Sequence, residues 1–97
     1  MRDLEEKELA NIEQCGRVGF SYEELAAVLE VPVEEVEEQF RDKRGKVYEA
    51  WLKGRMQVEI ELRQAMLRDA LNGSSPMLEK MLSIYRKTEE TNRKLIY

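Results

Sequence analysis

The stretch Asn72-Gly73-Ser74-Ser75-Pro76 sets the order of everything around it. A helical pattern runs up to it from about Lys46 to Leu71, and a second begins at Pro76. Gly73 suits the left-handed position that closes a helix without a Cβ clash. Ser74 or Ser75 can cap the next helix, and Pro76 fits a first turn, where its missing N–H is not needed. A stop and a start this close together predict an antiparallel helical hairpin over residues 46–97.

The upstream arm carries more apolar surface than one partner can cover. At about 100° per residue, Val47, Trp51, Val58, Leu62 and Ala65 share one side. Tyr48, Leu52, Met66 and Ala70 follow round, and Met56, Ile60, Leu67 and Leu71 extend the surface further. A clean polar stripe is left only at Gln57, Glu61, Gln64 and Arg68. The apolar sector covers roughly two-thirds of the circumference, where a surface helix shows a stripe of about 100° or a little more. The downstream helix can cover one side with Met77, Leu78, Met81, Leu82, Ile84, Tyr85, Leu95 and Ile96. The other side is left for the N-terminal domain or for another copy of the chain. Trp51, Met56, Val58, Ile60, Leu62, Met66 and Leu67 are therefore the candidate assembly residues. Arg55, Glu59, Arg63 and Asp69 interrupt the apolar sector. They form either a solvated seam with i,i+4 pairs or ion pairs between subunits.

Ninety-seven residues make one compact domain, or a small domain with an appendage. No alternating run or hairpin dipeptide suggests a strand, so the fold is read as all-α. So small a chain has little margin of stability alone, which favours self-association. The net charge of −4 and pI near 5.0 count against a protein that coats nucleic acid with a bulk basic surface. Histidine is absent, which removes the commonest metal ligand and general base. No phosphate-cradling glycine loop or nucleophile elbow is present, so no enzyme, cofactor or metal is expected. The single cysteine, Cys15, reads as a half-buried structural thiol. No leader peptide or membrane-spanning run is seen, so the chain is read as soluble, with no membrane partner.

Residues 1–45 read as a separate N-terminal domain. A first helix from Asp3 to about Gln14 carries Leu4, Leu9 and Ile12, and Gly16–Gly19 is read as a loop with Arg17 exposed in it. The next helix has the best-signed start in the chain. Ser21 and Glu24 form a capping box, and Phe20 with Leu25 forms a hydrophobic staple. Leu25, Ala26, Val28 and Leu29 face inward, a turn follows at Glu30-Val31-Pro32, and a third helix from Val33 carries Val36 and Phe40 inward before ending by Arg44-Gly45. These spacings make the skeleton of a helix-turn-helix, with Ala26 small enough for a close crossing. Many three-helix domains share that skeleton without touching DNA.

The charges qualify how such a unit meets DNA. From Ser21 to Phe40 the acids are Glu23, Glu24, Glu30, Glu34, Glu35, Glu37 and Glu38, with no lysine or arginine. Phosphates flanking a groove repel that face, so the third helix is not expected to enter the groove with its N-terminal half. Arg41, Lys43, Arg44 and Lys46 then reverse the balance against Asp42 alone. They can hold phosphates without reading bases, and they equally complement the dipole at a helix C-terminus. They are the candidate DNA contacts, with Arg17 a weaker one.

From Ser21 to about Tyr85 the chain resembles the small terminase subunit of tailed bacteriophages. The residues that carry the resemblance are Leu25-Ala26, Leu29-Glu30-Val31, Tyr48, Trp51-Leu52-Lys53-Gly54-Arg55, Glu59, Leu62-Arg63, Met66-Leu67, Ala70 and Gly73-Ser74-Ser75-Pro76-Met77. The resemblance implies a ring of roughly eight to twelve copies with the hairpins as its hub. It implies recognition of viral double-stranded DNA for genome packaging, delivery to the large terminase subunit, which supplies ATPase and nuclease, and a place in the cytoplasm of the infected bacterial host. Two rival readings of the same residues are a dimeric helix-turn-helix transcription regulator and an adaptor that binds a basic protein through the acidic third helix.

Overall fold

The computed structural model describes residues 2–96. Among them the fold is all-α, with α1 at Glu6–Arg17, α2 at Tyr22–Leu29, α3 at Val33–Asp42, α4 at Lys46–Leu71 and α5 at Ser75–Ile96. The chain divides into two compact units, Met1–Glu59 and Ile60–Tyr97. The division falls inside α4, later than the change at 45/46 expected from the sequence, so residues 46–59 belong with the N-terminal unit.

The helix ends follow one rule. At the close of α1, α2, α3 and α4 a residue sits at positive φ: Gly19 at 81°, Glu30 at 56°, Lys43 at 55° and Gly73 at 104°. Each is flanked by the same pair of backbone hydrogen bonds. At α2, for instance, the Glu30 N–H donates to Ala27 O (3.3 Å) and the Val31 N–H to Ala26 O (3.1 Å). At α4 the Gly73 and Ser74 N–H groups donate to Ala70 O and Asp69 O in the same pattern. This is the Schellman closure, which satisfies carbonyls that the helix itself cannot. Two of the four positions are held by residues with a Cβ, which costs roughly 1–2 kcal/mol relative to a right-handed conformation.

The starts are equally explicit. Ser21 Oγ accepts from the Glu24 N–H (3.1 Å) while the Ser21 N–H donates to Glu24 Oε1 (2.9 Å), the reciprocal box expected there. Ser74 Oγ accepts from the Met77 N–H at 3.4 Å, so Ser74 caps α5 and Pro76 lies in its first turn. A box between Glu5 and Glu8 starts α1 at Glu6, later than the expected Asp3. For α4 the cap comes from elsewhere in the chain. Gln39 Oε1 accepts from the Val47 N–H (3.2 Å) and the Tyr48 N–H (3.4 Å). Gly45 has no side chain to do this, and a Cβ there would stand 2.4 Å from Gln39 Oε1.

The N-terminal unit closes around Ile12, Cys15, Leu25, Ala26, Leu29, Val36 and Val47. Ile12, Leu25, Val36 and Val47 are fully buried, each contributing about 1.5–3 kcal/mol of transfer free energy. Phe40 packs at the edge of this core, tilted against Trp51 at a centroid distance of 4.9 Å and edge-on to Tyr48 at 5.2 Å. α1 does not stop at Gln14. It runs on through Gly16, which is buried, to Arg17, so the expected loop begins only at Val18. Glycine allows this because α4 passes backbone to backbone. A Cβ on Gly16 would lie 2.1 Å from Trp51 O, and one on Gly54 would lie 1.8 Å from Glu13 O.

In the C-terminal unit the core is thin. Ala70 and Met81 are buried, and Met77 and Ile84 are half-buried. Leu78, Leu82, Tyr85 and Leu95 were expected to cover α4 and are instead exposed, while the side chain of Ile96 lies outside the described part. No helix among the described residues is long and apolar enough to cross a membrane.

Candidate nucleic-acid interface and assembly surface

The basic segment spans the end of α3, its left-handed closure and the first residue of α4. Arg41, Lys43, Arg44 and Lys46 are all exposed. The fold thus brings four cations into one turn of chain. Two of them have carboxylate neighbours: Arg41 pairs with Glu37 one turn back, and Arg44 Nη2 lies 3.8 Å from Asp42 Oδ2. The side chains of Arg41 and Arg44 are 69% and 81% exposed, so such pairs are worth at most about 1 kcal/mol and yield to a stronger anion. A phosphate is such an anion, since arginine meets it with a bidentate fork.

Along α3 the sign of the surface changes within one helix. Glu34 and Glu38 are exposed and Glu35 and Glu37 half-buried, all ahead of Arg41. Val36 between them is fully buried. The acids therefore sit on the outer side because the inner side is needed for the core.

Arg17 stands apart in kind. It is half-buried, and its Nη1 donates to Gln57 Oε1 at 3.1 Å. Gln57 Nε2 in turn donates to Glu13 Oε1 at 2.8 Å, with Lys53 Nζ 4.0 Å from the same oxygen. This guanidinium ties α1 to α4 and is not the exposed loop cation expected from the sequence. The misplacement follows from reading Gly16 as a helix breaker.

The assembly candidates divide. Trp51 is half-buried in the N-terminal unit, its Nε1 donating to Phe20 O at 2.7 Å. Val58, Met66 and Leu67 are half-buried, while Met56, Ile60 and Leu62 are 44%, 56% and 51% exposed. Leu71 at 75%, with Leu78, Leu82 and Tyr85, adds exposed apolar surface that the candidate set omitted. A groove of about 330 Å³ in the C-terminal unit is lined largely by apolar side chains, among them Leu67, Met81, Ile84 and Tyr85. Arg55 Nη1 and Glu59 Oε2 lie 2.8 Å apart and pair within one chain.

Cys15 is buried, and burial pushes its thiol above the ordinary value, which disfavours the reactive thiolate. Comparison with family profiles, with curated proteins and with solved structures finds no match.

Proposed function

We propose that this chain is a non-enzymatic DNA-recognition subunit of a viral genome-packaging apparatus, of the kind the small terminase subunit represents. It works as a homo-oligomeric ring in the cytoplasm of the infected bacterium and hands viral double-stranded DNA to a large motor-nuclease subunit. In this reading α2 and α3 form a helix-turn-helix held against DNA through Arg41, Lys43, Arg44 and Lys46. The end of α4 and α5 form an antiparallel hairpin that assembles the ring.

The observation that supports it is the exposure of Leu62 and Leu71 on one helix. They are nine positions apart, about 180° around the axis, so no single neighbour covers both. A chain with apolar surface on opposite sides of one helix needs two neighbours. Repeated head-to-tail contact of that sort closes into a ring when the rotation permits. A two-fold dimer uses one self-complementary patch and leaves the other side wet. On such a ring the short basic segment is repeated, and multivalency turns weak phosphate contacts into firm binding.

Light scattering over a concentration series tests this. A discrete mass near roughly eight to twelve chains is the expected result. A stable dimer would favour a dimeric transcription regulator, and a monomer would end both readings. Reversing Arg41, Lys43 and Arg44 to glutamate together should weaken duplex binding at least tenfold and flatten its salt dependence. Unchanged affinity in a folded triple variant would remove the site from 41–46.

A further inference from the structure

Three of the exposed apolar residues of the C-terminal unit stand on one line of α5. Leu78, Leu82 and Tyr85 follow one another at four and then three positions, so at about 100° per residue they fall within about 60° of each other. Met77, Met81 and Ile84, which are half-buried or buried, lie about 100° round the axis from that line. The helix therefore has two apolar sides. One is used within the unit, and the other is left at 46%, 41% and 47% exposure. A spacing of four and three is that of a seam between two helices.

The charges beside this line identify what covers it. Glu79 and Arg86 are exposed and flank it on the side turned away from Met81, placed evenly about Leu82. Among the described residues neither takes part in an ion pair. A second α5 laid antiparallel, with Leu82 at the crossing, matches every position. Leu78 of one copy meets Tyr85 of the other, Leu82 meets Leu82, and Glu79 meets Arg86 twice over. A parallel pair would set Glu79 and Arg86 against the opposite flank, where Ser74, Met81 and Thr88 offer no charge. Beyond Tyr85 the line turns polar at Glu89. In the antiparallel pair Glu89 lies over Ser75 of the other copy, in a first turn that has no acid of its own. A carboxylate suits that positive end of a helix. Sliding the pair by one turn would set Glu89 against Leu78, which disfavours the wrong register.

We propose that Leu78, Leu82 and Tyr85 form the surface through which two copies of this chain pair, α5 against α5, antiparallel across a two-fold axis at Leu82. A two-fold contact needs one self-complementary patch, and the apolar line with its two flanking charges is such a patch. The exposed charges set orientation more than strength. The pairing rests on the reading that the chain associates with itself, and not on DNA binding. It uses α5 and leaves Leu62 and Leu71 of α4 to the ring. Since every chain then pairs with one other, the number of chains is even.

The test is a single cysteine at the axis. Leu82→Cys in the full chain should give a covalent dimer on mild oxidation, because the two-fold axis brings position 82 of both copies together. Lys80→Cys, on the opposite side of α5, should give little. The unaltered chain, whose Cys15 is buried, should give none. A Leu82→Cys chain that is linked neither by oxidation nor by a short bismaleimide overturns the proposal, and so does an equal yield at position 80. In the Leu82→Cys background, Glu79→Arg or Arg86→Glu should slow the cross-linking several-fold, and the two together should restore it. A double variant that stays slow overturns the antiparallel register and the proposal with it. The ring is judged separately by mass. A link at position 82 with the mass of a dimer keeps the pairing and ends the ring. A ring mass with no link at 82, or with an odd number of chains, ends the pairing and keeps the ring.

Discussion

The two units of this chain handle apolar surface in opposite ways. In the N-terminal unit the core residues are shielded within the unit: Leu25, Val36 and Val47 reach essentially zero exposure, and the tryptophan ring finds a hydrogen-bond acceptor. In the C-terminal unit two of the described residues are buried, and Leu71, Leu78, Leu82 and Tyr85 are between 41% and 75% exposed. Both contain apolar residues in number, valine and leucine mainly in residues 1–59 and leucine, isoleucine and methionine in residues 60–97. The difference is one of closure. Three short helices and the start of α4 surround a point, whereas the end of α4 and α5 leave apolar side chains exposed. The first unit is finished within itself, and the second is left unfinished, with apolar side chains still exposed.

The largest expected effect attacks the finished unit at its tightest place. Gly54→Ala adds one methyl where the Glu13 carbonyl stands 1.8 Å from the new Cβ. Alanine would otherwise favour the helix by about 1 kcal/mol over glycine. Here the backbones of α1 and α4 must separate, and a loss of about 3 kcal/mol is expected, at the upper end of ordinary overpacking. Chemical denaturation followed by Trp51 fluorescence reads it directly. A stabilised variant would show that the helices cross with slack.

The unfinished unit should answer differently. Leu62→Glu or Leu71→Glu removes no buried contact, so secondary structure and the N-terminal transition should hold within about 0.5 kcal/mol. The ring proposed above should nevertheless fall apart, visible as a drop in sedimentation coefficient. If both variants keep their mass, these side chains are ordinary exposed leucines and the contrast between the units has no functional meaning.

How much of this was legible in the sequence depended on whether the cause was local. The box at Ser21–Glu24, the stop at Gly73 and the cap at Ser74 are set by residues within a few positions of each other, and they stand where the pattern put them. Gly16 and Gly54 defeated the same reasoning. Each looks like a helix break or a neutral small residue until the other is known, and they are far apart in sequence. The Gln39 cap on α4 failed for the same reason, because a cap is sought next to the helix it serves. For the candidate site, the cations at 41–46 could be named from the sequence since charge at the surface needs no partner to be seen. Arg17 could not be placed, because its role depends on Gln57, forty positions later. The apolar excess of α4 was plain, but not that α5 would leave so much of it uncovered.

The smallest effect sharpens the account of how the finished unit is built. Glu30 and Lys43 occupy the same left-handed closure, with φ of 56° and 55°. Glycine at either position relieves the Cβ strain but loosens the unfolded chain, for a net gain of about 0.5–1 kcal/mol. The two should differ because of the helix they close. Glu30 places a negative charge at the negative end of α2, so its removal adds a few tenths of a kcal/mol. Lys43 places a positive charge at the end of α3, so its removal takes away a comparable amount. Glu30→Gly should therefore stabilise more than Lys43→Gly in thermal melts at low salt, and the gap should close as salt screens both charges. Equal gains at low salt would mean that strain alone matters at these ends. Lys43 would then be kept at a strained position for a reason other than the dipole, and the phosphate contact proposed for it is the reason the geometry offers.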